Sequence, residues 1–125
     1  MPDSTSGPAQ IISIKTAEHY KWGGPKATDC DGWHLVKTLE LSVIEELMPP
    51  GTSEVRHSHV HARQFFYVLE GALTLEVEDH HFVVPAGEGI EVSPGQRHQA
   101  MNKSSRALRI IVTSQPPSHG DRIDA

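Results

Sequence analysis

A single cysteine, Cys30, occurs among 125 residues, so no disulfide can form within the chain. That scarcity predicts a reducing, cytoplasmic setting. Positive charge is also in deficit: eleven Lys and Arg stand against sixteen Asp and Glu, a formal net charge of −5 with neutral His. A nucleic-acid partner would need a basic face to displace counterions, and this balance argues against one. No apolar run approaches the roughly 18 residues that cross a bilayer as a helix. Residues 1–10 (MPDSTSGPAQ) lack an apolar stretch, so neither a secretory leader nor a membrane partner is expected. Aromatic residues make up 6% and hydrophobic residues 37%, which suits one domain with one modest core. No ten-residue window carries clean helical periodicity with caps.

Histidine is in excess, with nine in the chain. That points toward metal or proton chemistry. The other abundant signal is a series of short β-type runs separated by breakers. Leu35–Thr38 and Leu39–Met48 precede Pro49-Pro50-Gly51, and Glu54–His59 precedes a short turn. Gln64–Glu70, Ala72–Glu78, Phe82–Val84, Gly89–Val92 and Ala107–Thr113 follow in the same manner. Such spacing predicts an all-β sandwich or barrel. Ile11–Ile14 reads as a further short strand. Residues 19–34, with Gly-Gly-Pro and Asp-Gly, read as a structured loop. The predicted division is a flexible arm at 1–10, a barrel domain at 11–113 and a surface tail at 114–125.

His57-Ser58-His59 lies in a strand-like run. Alternate strand residues share a face, so both imidazoles project to one side, as two ligands of one metal ion must. The surrounding string is Gly51-x5-His57-x-His59-x4-Gln64-x6-Gly71. A second string, Gly87-x7-Gly95-x2-His98-x3-Asn102, contains the only asparagine in the chain.

Together these strings resemble the two motifs of the cupin superfamily, Gly-x5-His-x-His-x3-4-Glu-x6-Gly and Gly-x5-Pro-x-Gly-x2-His-x3-Asn. The resemblance covers about Leu41 to Val112. It implies an all-β, double-stranded β-helix or jelly-roll (cupin) barrel, commonly a homodimer, in which His57, His59, Gln64 and His98 converge on one divalent metal. Two departures stand out. Ser93 replaces the second-motif proline, with Pro94 one place later, and Gln64 replaces the usual glutamate.

Three imidazoles and one amide oxygen suit Ni, Zn, Fe(II) or Co(II) better than Ca or Mg. An amide cancels none of the ion's charge. The site would therefore favour Lewis-acid chemistry on a carbonyl or carboxylate over oxalate-type redox chemistry. The implied activity is a metal-dependent isomerase, lyase or ring-opening enzyme acting on a small polar or acidic metabolite such as a sugar acid. A non-haem Fe(II) dioxygenase and a non-catalytic metabolite-binding module are the alternatives.

Other residues are candidates by parity. Glu45 and Glu46 are adjacent on a strand, and whichever faces the interior would act as general base. Phe66 and Val68 share parity with Gln64, and Ala100 with His98, so these three are expected to line the pocket. Arg63 is the least unsuitable clamp for a substrate carboxylate, since Arg56 and Arg97 point away from their neighbouring histidines. His61, His80 and His81 read as solvated, and Cys30 as a small buried apolar residue. Trp22 and Trp33 would form a lid, a dimer contact or a local cluster. The Ile11–Ile14 strand would join a partner's sheet.

Overall fold

The computed structural model describes residues 7–125, so most of the arm expected at 1–10 lies outside the described residues. Eleven strands and no helix occur among them. No helix is therefore long and apolar enough to cross a membrane. The strands are β1 (Glu18–Trp22), β2 (Cys30–Lys37), β3 (Ser42–Met48), β4 (His57–His59), β5 (Arg63–Glu70) and β6 (Ala72–Val77). They continue with β7 (His80–Pro85), β8 (Gly89–Val92), β9 (His98–Met101), β10 (Leu108–Gln115) and β11 (Arg122–Asp124).

Two antiparallel sheets result, in the orders β1-β2-β3-β10-β5-β8 and β11-β4-β9-β6-β7. This is the double-stranded β-helix arrangement. Period-2 alternation explains why the sheets face each other. On β5 the outward side chains Arg63, Phe65, Tyr67 and Leu69 alternate with buried Gln64, Phe66 and Val68. On β10, Leu108, Ile110, Val112 and Ser114 point inward. The core between the sheets holds Met48, Phe66, Val68, Leu73, Leu75, Val84, Val92, Leu108 and Ile110. Each fully buried aliphatic side chain contributes about 1.5–3 kcal/mol.

Two motif residues are structural. Gly71 joins β5 to β6 with φ +84°, and a Cβ there would fall 2.6 Å from the Ala107 carbonyl oxygen. Asn102 is buried. Its amide nitrogen donates to the Met48 and Arg106 carbonyls, both at 2.8 Å, and its oxygen accepts from Ser104. That side chain ties the end of β9 to β3.

Several sequence expectations are corrected. Ile11–Ile14 is not a strand in this chain: Ile11 is fully exposed, and a turn follows in which Thr16 and Ala17 donate to the Ser13 carbonyl. Residues 19–34 are not a loop. They form most of the β1–β2 hairpin, with Gly-Gly-Pro in its connection. The run from Glu54 contributes only its last three residues to β4. The β6–β7 turn falls at Glu78-Asp79, whose φ values of 47° and 71° suit a tight primed turn, so His80 and His81 begin β7. The segment after 113 is more than a surface tail. Ser114 and Gln115 finish β10, and Arg122–Asp124 pair with His57–His59.

Candidate metal centre and its cavity

The site begins with strand parity. His57 and His59 project inward from β4, and His57 is the register partner of His98 on β9. All three are buried, and each offers a nitrogen within 4.8 Å of the others. The ring centroids lie 4.5 Å apart for His57 and His98, 4.8 Å for His57 and His59, and 5.7 Å for His59 and His98.

Hydrogen bonds fix the ring faces. His57 Nδ1 donates to the Val55 carbonyl at 2.7 Å, and His98 Nδ1 donates to that of Gln96 at 3.0 Å. Those bonds leave each Nε2 as an unprotonated acceptor facing the cluster. His59 Nδ1 is buried without a hydrogen-bond partner. Burial, helped by the neighbouring cationic groups, holds His57 down to about 4, and burial also lowers His59 and His98. Three neutral imidazoles with converging lone pairs are what a cation needs from such a set.

Gln64 comes from the opposite sheet. Its amide oxygen lies 3.1 Å from His98 Nε2, and its amide nitrogen donates to Ser114 Oγ at 3.0 Å. Gln64 and Ser114 are register partners on β5 and β10, so the contact is built into the sheet. The donor set of three imidazoles and an amide oxygen fits a divalent transition metal.

His57, His59 and Gln64 line a cavity of about 260 Å³. Its walls include Tyr20 and Trp22 from β1, Ile44 and Glu46 from β3, Val112 and Ser114 from β10, and Glu54. Ser118, His119, Gly120 and Arg122 close another side. This closure depends on Asp121, whose carboxylate accepts the N–H groups of Val60, His61 and Ala62 in the turn after β4.

Of the two adjacent glutamates, Glu46 faces inward and Glu45 faces out, bonded to Arg109 at 3.0 Å. Burial, with Glu54 nearby, pushes Glu46 up to about 8. Burial likewise pushes Glu54 up to about 7, against the Ala100 N–H and Arg122.

Three expected wall residues lie elsewhere. Phe66 packs edge-on behind His98, with ring centroids 6.0 Å apart, while Val68 and Ala100 sit in the core. Parity placed them inside the barrel correctly. The cavity, however, is bounded by β1, β3, β10 and the 118–122 segment, and none of these three residues lines it. Arg63 is not a substrate clamp: it lies on the outer face, paired with Glu91. Arg56 and Arg97 are engaged by Glu76 and Glu78. His61 is exposed, with its backbone bound to Asp121. Trp22 lines the cavity, whereas Trp33 lies outside it under the Arg109 guanidinium. Tyr20, Glu54, His119 and Arg122 went unnoticed in the sequence. Only the inward parity of Tyr20 with Trp22 could have flagged any of them.

The Cupin domain family matches residues 44–114. The chain belongs to the cupin family. This cupin is 29% identical over 89 residues to an uncharacterized protein of Methanocaldococcus jannaschii, covering 70% of this chain and 71% of that one. It is 28% identical over 69 residues to the tetracenomycin polyketide synthase protein TcmJ of Streptomyces glaucescens, covering 55% of this chain and 46% of that protein. Among solved structures, an RmlC-like cupin from Shewanella frigidimarina superposes with a TM-score of 0.76 at 22% identity, covering 90% of this chain and 96% of that one. A cupin sugar phosphate isomerase from Silicibacter pomeroyi gives 0.73 at 19% identity, covering 86% and 76%. The polyketide cyclase RemF from Streptomyces resistomycificus gives 0.75 at 18%, covering 94% and 86%. At these identities the structural likeness is one of fold.

Proposed function

We propose that this cupin is a metal-dependent enzyme of the isomerase, lyase or ring-opening type, acting on a small, polar, oxygen-bearing metabolite. The observation that carries the reading is the convergence of three buried, neutral imidazoles beside the Gln64 amide oxygen, whose amide nitrogen is bonded to Ser114. His57, His59, Gln64 and His98 would hold one Ni, Zn, Fe or Co ion. That ion would polarise a substrate oxygen, with no charge cancelled by its ligands. Glu46 takes up or returns a proton at its carboxyl oxygen. Trp22, Ile44 and Val112 supply apolar wall that excludes water. The structurally similar sugar phosphate isomerase and polyketide cyclase show that this fold accommodates isomerase and cyclase activities. Arg122 also lines the cavity, with its Nε bonded to Asp124 at 2.8 Å.

A homodimer belongs to the same proposal. Phe65, Tyr67 and Leu69 on the outer face of β5 are 43%, 38% and 41% exposed in the single chain. Sedimentation at micromolar concentration tests it.

Elemental analysis of purified protein, followed by turnover assays on hydroxy-ketones, sugar acids and polyketide-like β-diketones, tests the main reading. One equivalent of metal and turnover lost in His57→Ala are expected. Metal-free protein after remetallation would overturn the reading. An all-neutral donor set also suits Fe(II) dioxygen chemistry, which oxygen uptake would reveal. Saturable binding without turnover would make the protein a binding module.

A further inference from the structure

We propose that Tyr20 is a catalytic residue of this cavity: its hydroxyl touches the ligand and passes it a proton drawn from Glu46, and Gly32 is the residue that positions the phenol. The inference rests on the metal-dependent reading above. Its basis is an alignment across three strands. Tyr20 on β1 is the register partner of Gly32 on β2, and Gly32 is the partner of Glu46 on β3. A side chain on the middle strand would stand between the other two. A Cβ at Gly32 would fall 2.4 Å from Tyr20 Cζ and 2.6 Å from the hydroxyl oxygen. The phenol therefore lies on bare backbone and reaches over β2 toward Glu46, its neighbour across the three strands. Gly32 has no left-handed φ, so the close approach is what calls for glycine here.

Tyr20 and Glu46 both line the cavity that His57, His59 and Gln64 also line, so a ligand held beside the histidines meets the phenol. Burial raises the phenol, and Glu46 raises it further. Glu46 itself faces Glu54, and two carboxyls in one dry space resist ionising together. Both partners thus hold protons near neutrality. As a ligand oxygen gains electron density, the Tyr20 O–H bond breaks and an O–H bond forms on the ligand. The carboxyl proton of Glu46 moves to the phenolic oxygen, which leaves Glu46 a carboxylate and Tyr20 a phenol again. A proton released from a ligand C–H then reloads Glu46, so the cycle consumes no proton.

Two measurements test this together. The first follows deuterium entry from D2O into the hydroxymethyl groups of dihydroxyacetone by NMR, on zinc-loaded protein with metal content checked for each variant. Wild type should exceed buffer with free zinc. Tyr20→Phe, which keeps the ring over Gly32, and Gly32→Ala, which displaces it, should each slow exchange at least tenfold with metal content unchanged. The second measurement uses the fact that the chain has only two tyrosines. In metal-free Tyr67→Phe protein, absorbance at the phenolate band isolates Tyr20, and adding Glu46→Gln should lower its ionisation by about one pH unit or more. Exchange by Tyr20→Phe at the wild-type rate, wild-type exchange no faster than zinc in buffer, or an unmoved Tyr20 titration would each overturn the proposal. A wild type that takes up no zinc defeats the metal reading instead.

Discussion

Ser114 anchors the Gln64 amide from the neighbouring strand. By accepting from the amide nitrogen at 3.0 Å, it leaves the oxygen toward His98. An amide turned the other way would aim N–H groups at the lone pairs a cation uses. Ser114→Ala should therefore weaken zinc binding by about tenfold, as loss of such supporting partners does elsewhere. Gln64→Glu should tighten it by at least as much, because a carboxylate cancels part of the cation's charge. The same change should reduce turnover, since the ion then polarises less. Chelator competition reads the affinities, and equal values in all three proteins would sink this account.

The metal-free protein should lose stability as pH rises above neutrality. Glu46 is held up to about 8 in the fold against an ordinary 4.5. Between those values the folded chain keeps a proton that the unfolded chain has released, so unfolding is favoured as pH climbs. Glu54, held up to about 7, acts in the same direction. The histidines act oppositely. His57 is held down to about 4 against an ordinary 6.5, so its contribution grows as pH rises through that window and is complete above it. By about pH 7.5 the unfolded imidazoles have released nearly all their protons, so above it the Glu46 carboxyl dominates. Urea melts at about pH 7.5 and 9 should show that loss in wild type and a smaller one in Glu46→Gln. A wild type equally stable at both would refute the buried, proton-holding Glu46.

Asp121 is the clasp that holds the 118–124 segment over the cavity. Its carboxylate takes the Val60, His61 and Ala62 N–H groups at 2.8–3.2 Å. Asp121→Ala should free β11. Hydrogen exchange at those three amides should accelerate by tenfold or more, and proteolysis after residue 115 should begin. Unchanged protection of His61 and Ala62 would show that strand pairing alone holds the segment.

The motif glycines are unequal. A Cβ at Gly71 meets the Ala107 carbonyl at 2.6 Å, whereas at Gly51, Gly87 and Gly95 it meets nothing within 4 Å. All four have positive φ. Substitution by alanine at Gly51, Gly87 or Gly95 should cost about 1 kcal/mol, from backbone conformation alone. Gly71→Ala should cost more, because the β10 backbone must also move. Equal melting temperatures across the series would contradict this ordering.

The barrel and its histidine cluster were legible because both rest on period-2 alternation. Parity along His57-Ser58-His59 fixed a shared face, and the spacing from Gly51 to Gly71 and from Gly87 to Asn102 tied β4, β5 and β9 together. Parity also narrowed Glu45 and Glu46 to one interior carboxyl without saying which, because Pro49-Pro50 breaks the count. What stayed hidden depends on long-range pairing. β1 mixes Glu18, His19 and Lys21 with Tyr20 and Trp22, so its inward face is only two residues long. β11 is three exposed residues whose strand character comes wholly from β4. Phe66, Val68 and Ala100 were placed on the correct face. Depth along the barrel, which separates a wall from a core, has no local signature.

The segment this chain has in common with its family, residues 44–114, contains every candidate metal ligand. Of the residues that enclose the rest of the chamber, Ile44, Glu46, Glu54 and Val112 also lie within that segment, whereas Tyr20, Trp22, His119 and Arg122 fall outside it. The chamber is thus shared between the family segment and the two pieces that flank it. The histidine cluster can persist across distant cousins while the two flanking pieces are rewritten, and a likeness confined to the middle of the chain leaves part of each cousin's chamber undescribed.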